Sequence, residues 1–115
     1  MNLDYTRHLI DKGFRASDPK AMLIQVLDSV MELISIPDND FSWSSWESAE
    51  VAINEIENLI DRTKIGYIPN RLDITIIFAP TGPLQELSLS SGWADTFLKI
   101  AERFDEVEFK LWKKG

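Results

Sequence analysis

Proline fixes where regular structure can begin and end in this chain, because it lacks a backbone N–H and is tolerated in a helix only at the first turn. Prolines stand at positions 19, 37, 69, 80 and 83. Asp18-Pro19 reads as a helix start, with Asp18 as N-cap and Pro19 at the first helical position. Pro37 reads as the stop. Between them Met22, Leu23, Val26, Leu27, Val30, Met31, Leu33 and Ile34 form a wide apolar stripe. A stripe of that width predicts the central helix of the fold.

The other segments follow from periodicity. Residues 3–13 predict a short helix with Tyr5, Leu9 and Ile10 on one side. Asp38 to Ser45 predicts a loop. Ser44 and Glu47 have capping-box spacing, which starts a helix from about Ser45 to Thr63. Its inner face holds Ala49, Ala52, Ile53, Ile56, Leu59 and Ile60, and its outer face Glu47, Glu50, Asn54, Glu57 and Asp61.

Leu72, Ile74, Ile76 and Phe78 alternate with Asp73, Thr75 and Ile77 in a run rich in β-branched residues, which predicts a strand. Pro80 to Pro83 predicts a turn, and Leu87 and Leu89 a returning strand. The competing reading is a short helix from Pro83 with Leu84 and Leu87 inward. Ser91 or Gly92 opens a last helix with Trp93, Phe97, Ile100, Ala101 and Phe104 inward. Val107, Phe109 and Leu111 then predict a short edge strand or a helical tail ending in Lys113, Lys114 and Gly115. The expected fold is a single α+β domain over residues 1–115. About four helices pack on a small antiparallel β-hairpin, with or without a short C-terminal strand.

Composition removes whole classes of chemistry. With no cysteine there is no disulfide, thiolate metal site, cysteine nucleophile or iron–sulfur cluster. Neither phosphate-binding glycine motif is present, and there is no nucleophile elbow. His8 is the only histidine and sits beside Arg7, a poor setting for a catalytic base. Asp38-Asn39-Asp40 begins like a calcium loop. Trp43 stands where that loop needs glycine, and Ala49 where it needs a bidentate glutamate. No cofactor or metal is expected. No window resembles a signal peptide, and no apolar run approaches the roughly 20 residues that span a bilayer. A cytoplasmic protein is the expectation.

Two features point toward binding. Between Lys20 and Arg62 there is no lysine or arginine, while residues 21–61 hold nine acids. That stretch carries −9; the remaining ten acids and twelve bases carry +2, giving the net −7. Such acidity opposes nucleic acid and anionic membranes and can attract a basic protein. The second feature is aromatic. Phe41, Trp43 and Trp46 lie close together, and Trp93 opens the last helix. Tryptophan in a loop serves either as a binding anchor or as a lid over a small core.

The strings Phe41-Ser-Trp-Ser-Ser-Trp46 and Phe78-Ala-Pro-Thr-Gly-Pro-Leu-Gln-Glu-Leu-Ser-Leu-Ser-Ser-Gly-Trp93 resemble segments of small uncharacterised bacterial proteins. The resemblance covers about residues 41–105. It implies no activity and no site residues, and it favours a bacterial accessory protein over a metabolic enzyme.

The expected function is non-catalytic binding of a basic protein by an acidic helix–loop–helix face. Its residues are Glu47, Glu50, Glu57, Asp61, Asp38, Asp40 and Trp43. One concrete form is an immunity- or antitoxin-like protein that neutralises a basic toxin. The alternative is a small enzyme or ligand-binding domain with its site between the Trp43/Trp46 loop and residues 80–93.

Overall fold

The computed structural model describes residues 3–112. Among them every regular element is helical: α1 (Asp4–Lys12), α2 (Pro19–Ile34), a 3-10 turn (Phe41–Trp43), α3 (Ala49–Lys64), α4 (Arg71–Phe78), α5 (Pro83–Ser91) and α6 (Ala94–Trp112). The expected α+β architecture is therefore wrong, because the described residues contain no hairpin and no strand.

The central element is α2, which packs against α1, α3 and α6. Asp18 caps it as expected, accepting a hydrogen bond from the Ala21 N–H at 3.2 Å. Met22, Leu23, Val26, Leu27, Val30, Leu33 and Ile34 are all buried. On α3 the apolar stripe also faces the core, with Ala52, Ile56, Leu59 and Ile60 buried. Its start differs from expectation. Ser48, not Ser44, is the N-cap, accepting from the Val51 N–H at 3.3 Å. Ser44 is engaged elsewhere: its hydroxyl donates to the Pro83 carbonyl at 3.0 Å and accepts from the Trp46 N–H at 3.1 Å.

The predicted first strand is α4. Asn70 caps it, accepting from the Leu72 N–H at 2.9 Å. Ile74, Ile77 and Phe78 are buried, while Leu72 and Ile76 are exposed. The period-two set Leu72, Ile74, Ile76, Phe78 is thus split between inside and outside, as a helix requires. Burial of one helical face outweighed the β-branched preference, which is a weak local prior.

The predicted second strand is α5. Pro83 occupies its first turn, Leu84 and Leu87 point inward, and Gly92 ends it in the left-handed conformation at φ 87°. The competing helical reading of this segment holds. The C-terminal strand is likewise absent, because α6 continues through Val107, which is buried, to Trp112. Residues 113–115 lie outside the described residues. Phe78 of α4 stacks on Phe104 of α6, with centroids 4.2 Å apart and planes within 7°. That contact seats the short α4 on the longest helix.

Candidate functional site

The loop between α2 and α3 is tied down by polar side chains. Asn39 links three parts of the fold. Its amide nitrogen donates to the Leu33 carbonyl at the end of α2 at 2.8 Å, and its oxygen accepts from the Trp93 indole N–H at 2.9 Å. The Asp40 N–H donates to the Ser91 hydroxyl, and the Asp40 carbonyl accepts from the Ser90 hydroxyl. The Ser45 N–H and hydroxyl both donate to one oxygen of Glu86, at 2.9 and 2.8 Å. These bonds join the loop to α5.

The tryptophans take different roles. Trp46 is buried in the core, and Trp93 is half-buried against it. Trp43 is 75% exposed and lines a shallow hollow with Glu86, Leu89 and Ser90. Leu89 beside it is also exposed. Sequence alone did not separate Trp43 from Trp46, since both sit in one irregular segment.

The predicted partner-binding residues are divided between α3 and the segment that precedes it. Glu50, Glu57 and Asp61 are exposed on α3, opposite its buried stripe. Their spacing of seven and then four residues puts them on one face. None of them makes an ion pair among the described residues. Glu47 is exposed but precedes the helix, so it does not belong to that row. Asp38 is exposed in the loop. Asp40 serves the loop instead: its carboxylate accepts from the Ser42 N–H at 2.9 Å. Hydrogen bonds from the Ser42 side chain and backbone hold that carboxyl below its ordinary range. None of the α3 acids lines the Trp43 hollow.

A second acidic residue of the 21–61 stretch is also structural. Glu32 accepts the backbone N–H groups of Tyr5 and Thr6, which removes it from any docking face. Asp28 is half-buried on α2. Burial raises its pKa above the ordinary carboxylate value; the positive charge of Lys64 opposes the shift and the negative charge of Glu32 adds to it.

Where the alternative reading placed a site, the structure has a cavity of about 340 Å3 lined by Ser45, Trp46, Glu55, Ile76, Ile77, Ala79, Thr81, Gly82 and Pro83. Glu55 is the one titratable group in that lining. Among the described residues no group of three or more His, Cys, Asp or Glu side chains is placed to hold a metal ion. No helix among them is long and apolar enough to cross a membrane.

Several large apolar residues are exposed near α4. Leu72 and Ile76 lie on one side of α4, and Ile65 and Tyr67 lie in the preceding connection. The signal that could have found Leu72 and Ile76 was their i, i+4 spacing, once the segment is read as a helix. No family model matches the chain, and no curated protein or solved structure does either, so geometry alone carries the reading.

Proposed function

We propose that this protein is a non-catalytic, cytoplasmic binding module that docks a basic protein partner on the exposed acidic face of α3. The supporting observation is the row Glu50, Glu57 and Asp61, which is exposed and unpaired among the described residues. It stands within a 41-residue stretch, 21–61, that contains no base. An uncompensated field of one sign accelerates encounter with a partner of the opposite sign. Nucleic acid and anionic membranes are disfavoured partners for the same reason. An immunity- or antitoxin-like role, in which a basic toxin is neutralised, is one form of this reading.

The enzymatic alternative has less support. The serines and Glu86 around the loop are occupied in joining it to α5. The neighbouring cavity offers one carboxylate and no base or nucleophile paired with it.

The test uses an oligolysine peptide as a surrogate basic ligand, with association rates measured at low and high salt. The Glu57→Gln/Asp61→Asn variant should associate more slowly than wild type at low salt. The difference should shrink at high salt, because screening removes long-range attraction. Equal rates at low salt would remove the acidic row from the docking surface.

A further inference from the structure

Two hollows meet along the seam between α3 and α4. One, of about 330 Å3, is lined by Glu55, Asn58, Leu59, Arg62, Asp73 and Ile76. The other is the cavity that runs on to Trp46, Ala79 and Pro83. Glu55 and Ile76 line both, so the two hollows adjoin along this seam, and together they are called the groove below. On the α3 side, residues 55 to 62 span about 10 Å, or two helical turns.

On the α4 side the groove is lined by Ile76 and Ile77 together with Asp73. Leu72, one turn before Ile76 and outside the lining of either hollow, extends it into an exposed i, i+4 ridge at the groove's rim, 75% and 62% exposed. The packing of α4 is directed mainly to α5 and α6, which leaves this ridge uncovered. Glu55 on the α3 wall and Asp73 on the α4 wall supply negative charge on both sides. The one base in the lining, Arg62, lies over the Tyr67 ring at 5.7 Å.

We propose that this groove receives a basic amphipathic helix from the partner protein. Its apolar residues would cover Leu72, Ile76 and Leu59, and its basic flanks would meet Glu55 and Asp73. Two turns of groove with an apolar ridge and charged walls suit the helix-in-groove mode, in which anchors recur at i, i+3 and i+4. A second copy of this chain is a poor occupant, because each copy carries −7. The proposal rests on the docking reading above. It adds a second face of α3, distinct from the row of Glu50, Glu57 and Asp61.

The experiment titrates the isotope-labelled protein with a Leu/Lys peptide whose leucines follow helical spacing. A scrambled isomer of the same composition serves as control. Amide shifts should concentrate in residues 55–62 and 72–83, and the scrambled isomer should bind more weakly. Replacing Leu72 and Ile76 together by serine should weaken binding about tenfold, as loss of a buried apolar anchor does. Leu98→Ser, at an exposed position on α6, should change nothing. A thermal melt of each variant confirms that the fold is kept.

Equal binding of the isomer, shifts centred on Trp43 and Leu89, or indifference to the double replacement would overturn the proposal. So would concentration-dependent dimerisation that the double replacement abolishes, since the ridge would then belong to a second copy. The two readings fail separately. Oligolysine association that depends on Glu57 and Asp61, with a groove that ignores the Leu/Lys peptide, keeps the docking reading and discards this one. A filled groove with oligolysine association indifferent to those carboxylates does the reverse.

Discussion

Glu32, on α2, closes the N-terminus of α1 through Thr6. Its carboxylate accepts the Thr6 N–H at 2.7 Å, the Thr6 hydroxyl at 2.8 Å and the Tyr5 N–H at 2.9 Å. The residue preceding α1, Leu3, has no side chain that could do this. The cap is therefore tertiary: an anion from one helix meets the free N–H groups and positive dipole end of another. The Thr6 hydroxyl also accepts from the buried Ser29 hydroxyl at 2.9 Å, which fixes the two helices in register.

Glu32→Ala should destabilise the protein by about 1–3 kcal/mol, the usual cost of leaving donors unpaired near a core. Glu32→Gln should cost less, because the amide oxygen still accepts. Urea denaturation of both variants checks the order. Equal stability of wild type and the alanine variant would show that water replaces the carboxylate at no cost.

Gly82 is required for close approach and not for an unusual backbone angle, since its φ is −82°. A Cβ built there would lie 2.2 Å from the Ile76 carbonyl oxygen and 3.1 Å from those of Ile77 and Ala79. All three are backbone atoms and cannot swing aside. Gly82→Ala should therefore shift the α4–α5 connection and cost about 1–3 kcal/mol, the range for overpacking. A thermal melt reads this directly. A melting temperature at or above that of wild type would mean that the turn relaxes freely.

The parts of the fold legible in the sequence were those with redundant signals. For α2 a cap, a first-turn proline and a wide stripe all agreed. For α3 the stripe Ala52, Ile56, Leu59 and Ile60 set the phase, although the start was misplaced by a serine whose hydroxyl proved to be engaged with Pro83. The hairpin failed because Leu72–Phe78 is a short, almost wholly apolar run. Over seven residues, alternation and helical periodicity fit such a run equally well, and only packing decides. The candidate site was legible in charge and not in place. Glu50, Glu57 and Asp61 follow from helix phase, whereas Glu32 and Asp40 were spent on long-range and loop hydrogen bonds that no local pattern announces.

Asp28 carries the pH prediction. Burial raises its pKa above the ordinary value of 3.8, with Glu32 adding to the shift and Lys64 opposing it. A carboxyl raised on folding binds more protons in the native state than in the unfolded chain. Its contribution to stability therefore falls as pH rises through the interval between the two pKa values. Above that interval the native state holds an unfavourable charge. Asp28→Asn should consequently be more stable than wild type at neutral pH, with the gain disappearing once pH falls below 3.8. Denaturation curves at several pH values test the sign. A variant less stable at neutral pH would show that attraction to Lys64 outweighs burial.

If the acidic row of α3 docks a basic ligand, neutralising it should move stability and binding in opposite directions, which a purely structural set of carboxylates would not do. Glu57 and Asp61 are four residues apart on an exposed face, so they repel each other by a few tenths of a kcal/mol. Asp61 lies near the C-terminal end of the helix, where the macrodipole disfavours negative charge. Glu50, by contrast, lies in the first turn, where the dipole favours it. Neutralising Glu57 and Asp61 as Gln and Asn should therefore stabilise the free protein by about 0.3–1 kcal/mol. Replacing Glu50 by Gln should be neutral or slightly destabilising. The expected result is a double variant that melts higher yet associates more slowly with a basic ligand at low salt. A double variant that melts clearly lower would mean that these carboxylates hold the fold together, and the α3 row would then no longer qualify as a docking face.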